Sequence, residues 1–262
     1  MTGREDPTRA VQDEAEQNAA RLAHAAIGDG DPTAWFEPLY AAASAGGAAL
    51  PWDRRAPSRH LVQWAARRGL RGDAADGTAC APQTVGGPAI GGGDEPAAGP
   101  LARALVVGCG LGEDAEFVAS LGFSTTAFDI SPSAIEAARR RFPGSAVEYC
   151  VADLLAPPPA WHLGFGLVAE SMTLQALPEP TRAIAIPNLA PLVAPGGTLI
   201  VLARGRPEGS PDEGPPFALT LPEIESIAHD GLRLAEVATI DDGTTDAAWR
   251  WRAEFRRASI SS

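Results

Sequence analysis

One stretch limits the folds open to this chain more than any other: ALVVGCGLGEDAEFVASLGFSTTAFD, from Ala104 to Asp129. Leu105-Val106-Val107 is a short apolar, β-branched run of the kind that fills a buried parallel strand. It breaks into Gly108-Cys109-Gly110-Leu111-Gly112, where missing Cβ atoms let the backbone turn sharply and lie close against a ligand. Glu113 and Asp114 follow, and carboxylates favour a helix start because they complement the positive end of the helix dipole. The spacing predicts a helix over residues 114–121, stopped by Gly122, then a strand over 124–128 that delivers Asp129 at its carboxyl end. Strand, glycine loop, helix, strand and acid make up the first half of a nucleotide-binding βαβ unit.

The loop chemistry narrows the ligand. A dinucleotide fingerprint reads G-x-G-x-x-G and holds a pyrophosphate on the helix start. Here the spacing is G-x-G-x-G, and Glu113 stands where the third glycine belongs. Glu113 and Asp114 would repel a pyrophosphate and suit a ligand with a positive centre and an ammonium group. S-adenosylmethionine carries both, and its ribose offers two hydroxyls to Asp129. Residues 147–153, VEYCVAD, read as a third strand ending in Asp153, within reach of an adenine amino group. These elements, with Pro195-Gly196-Gly197-Thr198 before a last core strand, resemble the class I S-adenosylmethionine-dependent methyltransferases from about Leu101 to Arg204. The resemblance implies a Rossmann-like α/β fold: a seven-stranded, mostly parallel sheet with an antiparallel C-terminal strand pair. It also implies a cofactor site of Gly108, Cys109, Gly110, Gly112, Asp129, Ile130, Asp153, Leu154 and Glu170. Gly166 stands where many relatives carry an Asp, which weakens the match at the fourth strand.

Two readings compete. A glycine-rich turn can be a plain βα connection, and Asp129 or Asp153 taken singly can be a helix cap. A nicotinamide oxidoreductase is opposed by Glu113.

At 262 residues the chain fits one decorated domain or two small ones. No apolar run approaches the ~20 residues needed to span a bilayer, so no membrane partner is expected. The polar, acidic start MTGREDPTRAVQDEAEQ lacks the features of a secretory signal. Cys80, Cys109 and Cys150 have no metal-like or framework spacing, so no metal is expected and a reducing, cytoplasmic setting is. A net charge of −12 argues against nucleic acid, whose binding relies on neutralising phosphates with Lys and Arg. A small-molecule acceptor is the expected partner, and monomer and homodimer both stay open.

Residues 1–71 read as an N-terminal helical lid, 72–100 as a linker and 101–262 as the core. Residues 1–18 lack an apolar stripe and are expected to fray; 18–27 form a short helix. Asp31 then caps another, with Pro32 in its first position and Trp35, Phe36, Leu39 and Tyr40 on one face. Ser58 caps a helix to about Arg68. W-F-x-x-x-Y, P-W-D and P-S-x-x-L-V-x-W resemble the lid of the thiopurine and halide/thiol methyltransferases. That resemblance implies that Trp35, Tyr40, Trp52 and Asp53 face the sulfonium and the acceptor; the plain alternative is a helix pair packed on the sheet edge. Residues 72–100, almost wholly Gly, Ala, Pro, Asp and Thr, cannot bury enough surface to offset their ordering entropy.

Beyond Asp129, Ser131-Pro132 starts a helix ending at Pro143-Gly144, and residues 165–169 form the fourth strand. A helix over 179–193 carries Pro187, so a kink or break is expected. Residues 198–203 make the fifth strand, and Arg204 emerges from it as the candidate for orienting an anionic or polar acceptor. Thr220 and Glu223 form a capping box. Residues 232–240 and 248–258 alternate as a final antiparallel pair.

Methyl transfer is an in-line displacement at a carbon the sulfonium has already activated, so alignment dominates, worth roughly 7–11 kcal/mol. The stretch 170–177 faces the reaction site because ligands bind beyond the carboxyl ends of parallel strands. It lacks the Asp/Asn-Pro-Pro-aromatic tetrapeptide of enzymes that methylate base or amide nitrogens. A thiol acceptor needs no base, whereas a hydroxyl would call on Glu170, Asp53 or His162. The lid resemblance alone sets a thiol or other soft nucleophile slightly ahead of O- and N-acceptors. A domain that binds the nucleoside without turnover is the remaining alternative.

Overall fold

The computed structural model describes residues 7–70, 102–212, 214–241 and 249–259. The expected linker, with Cys80, lies outside the described residues.

The N-terminal part supplies three helices: α1 (Pro7–Gly28), α2 (Phe36–Ser44) and α3 (Arg59–Arg67). Helix α1 starts well inside the region expected to fray. Its buried face is Ala15, Ala19 and Ala23, an i, i+4 row of small residues that lets a neighbour approach closely without forming an obvious apolar stripe. Asp31 accepts from Thr33 N–H at 3.2 Å and from Thr33 Oγ1 at 3.0 Å. That cap closes a turn rather than the predicted helix, and α2 begins only at Phe36.

The remainder runs β1 (Arg103–Val107), α4 (Glu113–Ser120), β2 (Ser124–Asp129), α5 (Pro132–Arg141), β3 (Glu148–Val151), β4 (Phe165–Ser171), α6 (Thr181–Ala185), β5 (Val193–Arg204), α7 (Leu221–Glu225), β6 (Leu232–Asp241) and β7 (Trp249–Arg257). The seven strands lie in the order β3-β2-β1-β4-β5-β7-β6. Pairings from β3 to β5 are parallel, and β7 is antiparallel to both β5 and β6. This is the expected Rossmann-like sheet with its antiparallel end. Pro187 breaks the sixth helix as expected: α6 stops at Ala185, and 3₁₀ turns follow at Ile186–Asn188 and Ala190–Leu192.

Each face of the sheet is covered. Leu105, Phe128, Val168, Leu199 and Phe255 share one core layer, and Val106, Ala127, Leu167 and Ile200 share the other. Such alternation along a strand is what a sheet buried on two sides requires, and each large side chain so buried contributes roughly 1.5–3 kcal/mol. Helix α3 lies in the second layer, where Leu61 and Trp64 are buried. Trp64 Nε1 donates to Glu254 Oε2 of β7 at 2.8 Å, and Arg68 Nε donates to the same oxygen at 2.7 Å. Among the described residues no helix is long and apolar enough to cross a membrane.

Candidate active site

Strand β1 delivers the glycine loop at the carboxyl end of the sheet. Gly108, Gly110 and Gly112 take φ values of +59°, +52° and +97°, a region that costs any other residue a Cβ clash. Space enforces the same choice. A Cβ on Gly112 would stand 2.5 Å from Tyr149 Oη, and one on Gly110 would stand 2.9 Å from Tyr40 Oη. Cys109 N–H donates to Phe128 O at 2.8 Å, which ties the loop to the end of β2.

Asp129, 6% exposed, closes β2. Its Oδ2 accepts from Gly110 N–H at 2.9 Å and its Oδ1 from Ser131 N–H at 3.0 Å. Burial pushes the carboxyl up from its usual value, and these N–H groups oppose the rise. One acid is thus locked against the glycine loop with oxygen lone pairs to spare. One strand further out, Asp153 Oδ1 accepts from Leu155 N–H at 2.8 Å.

A cavity of about 360 Å³ opens over these strand ends, within the range of small-ligand sites. Gly108, Cys109, Gly110, Asp129, Ile130, Asp153, Leu154, Trp35, Trp52 and Arg204 all line it. The covering helices supply an aromatic cluster. Trp35 and Trp52 meet edge to face at 6.1 Å, Tyr40 and Trp52 at 5.9 Å, and Trp52 Nε1 donates to Tyr40 Oη at 2.9 Å. Burial, then the nearby Asp129 charge, holds the Tyr40 hydroxyl well above its usual pKa. Glu113 and Asp114 also face the cavity. Burial raises the Asp114 carboxyl, which accepts from Ser58 N–H at 2.6 Å.

Four expected positions fall elsewhere. Gly112 shapes the loop from beneath without lining the cavity. Glu170 is fully buried, and its Oε1 caps the amides of Thr173 at 2.6 Å and Leu174 at 2.9 Å. It holds the 171–177 corner in place and does not reach the cavity. Asp53 is drawn into an ion pair with Arg141, Oδ2 to Nη2 at 2.8 Å, and Arg141 also pairs with Glu113. It therefore clamps the N-terminal segment to α5 and lines a neighbouring groove instead. His162 is exposed and outside the cavity lining.

Glu37 of α2 is a position that sequence reasoning passed over. Its carboxylate accepts from Ser131 Oγ at 2.5 Å, Ser133 N–H at 3.0 Å and Ser133 Oγ at 2.6 Å, at the start of α5 beside Asp129. Burial would raise its pKa, but the three hydrogen bonds outweigh burial and lower it. The Ser-Pro-Ser helix start was visible in the sequence; its anionic partner, 94 residues away, was not.

Fold and glycine loop define a class: residues 104–197 carry a methyltransferase domain, matching the family of that description. The chain is 34% identical over 135 residues to the ubiquinone biosynthesis O-methyltransferase of Xanthomonas campestris pv. campestris (strain B100), covering 50% of this chain and 52% of that protein. It is 27% identical over 167 residues to the 2-heptyl-1-hydroxyquinolin-4(1H)-one methyltransferase of Mycobacteroides abscessus, covering 59% of this chain and 71% of the relative. The chain thus spans about half the length of the first of these relatives. A solved structure described as "Conversion of a Disulfide Bond into a Thioacetal Group during Echinomycin Biosynthesis" shares the fold, with a TM-score of 0.59 and 22% identity over 86% of this chain and 94% of the other. None of these comparisons singles out the thiopurine and halide/thiol group.

The residues present fit the cofactor of that class. Gly110 has no room for a Cβ beneath Tyr40 Oη, Asp129 presents a carboxylate to the cavity, and the negative charges of Glu113 and Asp114 disfavour a polyphosphate. Among the described residues no cluster of His, Cys, Asp or Glu could hold a metal ion.

Proposed function

We propose that this protein transfers a methyl group from S-adenosylmethionine to a small-molecule acceptor whose nucleophile is an acidic hydroxyl or a thiol. The observation that carries the reading is Asp129, fixed by two backbone N–H groups beside a glycine loop in the cavity over the strand ends. Asp129 takes the ribose hydroxyls. Asp153, with Ile130 and Leu154, takes the adenine, and the 108–112 loop lies along the methionine portion. Trp35, Tyr40 and Trp52 close the lid over the methyl and exclude water.

S-adenosylmethionine supplies a methyl carbon already activated by its sulfonium; the chain's residues align the acceptor and keep the site dry. None of the four histidines lines the cavity, and the carboxylates of Asp129 and Asp114 are occupied by backbone donors. Among the described residues, the other carboxylates that line the cavity are committed elsewhere: Glu113 to Arg141, Asp153 to Leu155 N–H and Glu16 to Gln12. The acceptor must then ionise largely by itself, which favours an acidic hydroxyl or a thiol over a protonated amine. The 34% identical relative is named for O-methylation, and this puts the hydroxyl first. A thiol stands second, on the W-F-x-x-x-Y lid pattern. The net charge of −12 keeps nucleic acid out of the proposed partners.

Calorimetry with S-adenosylmethionine tests the core of the reading. Asp129→Ala should weaken binding by about 1–3 kcal/mol, the cost of losing charge-assisted hydrogen bonds to the ribose. Labelled methyl should then move to members of a panel of acidic phenols, enols and thiols. Unchanged affinity in the variant, tighter binding of NAD, or transfer to no acceptor would each refute it.

A further inference from the structure

We propose that Arg182 is a positioning residue for the methyl acceptor: its guanidinium fixes the spacing between the turn after β4 and the loop after β5, which together wall the acceptor end of the cavity. The proposal deepens the methyltransferase reading and rests on it.

The wall comes from two segments far apart in sequence. The turn after β4 gives the cavity Gln175, Ala176 and Leu177, and the loop after β5 gives it Pro215 and Pro216. Phe217 N–H donates to Gln175 O at 2.6 Å, and Gln175 Oε1 accepts from Arg204 N–H at 2.6 Å, so the two segments meet at the end of β5. Strand order sets what they face. Asp129 and Asp153 stand at the ends of β2 and β3 on one side of β1, whereas β4 and β5 lie on the other. Strands are spaced about 4.8 Å apart, so β2 and β5 lie roughly 14 Å from each other. A cofactor whose ribose meets Asp129 and whose methionine portion follows the glycine loop has its reactive end toward β4. The wall beyond that end borders the acceptor.

Arg182, on α6, is 0% exposed, and its guanidinium reaches both segments. Nη1 donates to Leu177 O at 3.0 Å and to Phe217 O at 3.3 Å. Nη2 donates to Asp212 Oδ2 at 2.8 Å, while Nε and Nη2 donate to Glu223 Oε1 of α7 at 2.9 and 2.6 Å. One planar group therefore holds the end of the turn at Leu177 and grips the loop on both flanks of its prolines, at Asp212 and at Phe217. With both carbonyls on one nitrogen, neither segment slides without the other.

Stability alone does not explain a guanidinium here. A buried ion pair adds little net stability over apolar residues of the same volume. What the guanidinium adds is direction, because its donors lie in one rigid fork. Its anchor is rigid too: Glu223 Oε2 takes Thr220 N–H at 2.7 Å in the capping box of α7. Arg206 shapes the loop from within, donating to Ala218 O at 2.7 Å and to Ser210 O at 2.8 Å. The loop also packs closely on itself, since a Cβ on Gly214 would stand 2.5 Å from Phe217 Cδ1. A loop so stiff moves as a piece, and Arg182 with the Phe217 amide sets where that piece sits against the turn.

The test uses the full chain, with Asp212→Asn and Arg182→Lys as variants. Asp212→Asn frees the loop while Arg182 keeps Glu223, so no buried guanidinium is left unpaired; Arg182→Lys keeps the charge and loses the fork. On the ligand-free protein, hydrogen exchange should quicken about tenfold or more at Ala176, Leu177 and Phe217, whose amides carry the wall's hydrogen bonds. At Cys109, Gly110 and Ser131 it should change by less than about twofold. In turnover with a panel of acidic phenols, enols and thiols, 4-nitrophenol and thiophenol among them, the acceptor KM should rise about fivefold or more. The KM for S-adenosylmethionine should change by less than about twofold. Arg182→Lys should move both readings the same way; should it fail to fold, Asp212→Asn alone carries the comparison. Exchange unchanged at the wall, or quickened equally at the glycine loop, would make Arg182 a plain core staple and overturn the proposal. So would an unchanged acceptor KM, or a cofactor KM that rises with it. Transfer to no acceptor by the wild type would instead refute the methyltransferase reading. The exchange pattern, read without ligand, still decides in that case whether Arg182 holds this wall.

Discussion

The two walls of the cavity are held by different means. The wall made by β1, β2 and β3 is held by backbone: glycines at positive φ, Cys109 N–H on Phe128 O, and Gly110 and Ser131 N–H on one carboxylate. Every one of those contacts joins residues within about twenty positions of each other in sequence. The wall made by the N-terminal helices is held by side chains that reach far along the chain. Glu37 meets Ser131 across 94 positions, Asp53 meets Arg141 across 88, and Trp64 meets Glu254 across 190. Local backbone geometry is written in short motifs, while long-range carboxylate clamps are written nowhere in particular.

The sharpest way to break this contrast is to strike the backbone wall. Gly112→Ala places a Cβ in the left-handed region, 2.5 Å from Tyr149 Oη and 3.3 Å from Ala138 Cβ. Left-handed strain and overpacking together should cost about 2–5 kcal/mol of stability. The urea midpoint reports it, and S-adenosylmethionine binding should be lost with it. A variant as stable as wild type would mean that the loop is not held rigidly and that the contrast fails.

The legible and illegible parts of the sequence follow the same divide. The glycine loop, the break at Pro187 and the Thr220–Glu223 capping box are readable, because each is a local backbone requirement tied to a residue type. Helix α1 was read too short because its buried face is alanine. The lid resemblance puts Asp53 in the site, and the end of the fourth strand puts Glu170 there. Their carboxylates answer instead to Arg141 and to the amides of Thr173 and Leu174. The buried Arg182, gripped by Asp212 at 2.8 Å and Glu223 at 2.6 Å beneath the 207–217 loop, had no sequence signal at all.

Glu170 sits on the seam between the walls and gives a second, smaller test. Burial raises its carboxyl from the usual 4.5 to about 7, against the pull of the Leu174 and Thr173 amides. Because the folded value lies above the unfolded one, the contribution of this group is fully present below pH 4.5 and is lost as pH rises through about 7. The loss is on the order of 3 kcal/mol. Glu37, Glu254 and Asp53 have the opposite sign: their lowered values stabilise the protein above the ordinary carboxylate range and fail only in acid. Asp114 and Asp129, also raised by burial, share the sign of Glu170, so the difference between wild type and Glu170→Gln isolates the Glu170 contribution. Urea melts of Glu170→Gln should lose about 2–3 kcal/mol of the wild-type stability difference between about pH 5 and pH 8. Parallel pH profiles for the two proteins would show that the carboxyl is ionised throughout.

The smallest test asks whether the helical wall only shields the cavity or also shapes it. Trp52 is 38% exposed, so little of the fold's stability depends on it, yet its Nε1 donates to the buried Tyr40 hydroxyl at 2.9 Å, directly over Gly110. Trp52→Phe keeps an aromatic face and removes that donor. If the Trp52–Tyr40 pair sets the position of the phenol over the loop, affinity for S-adenosylmethionine should fall by about 0.5–1.5 kcal/mol, the net worth of one hydrogen bond. The urea midpoint should stay where it is. Calorimetry and urea melts on the same preparation separate the outcomes. A lowered midpoint with unchanged affinity would make the pair a packing element of the helices. A fall in affinity alone would make the helical wall part of the binding surface, joined to the backbone wall through one hydroxyl.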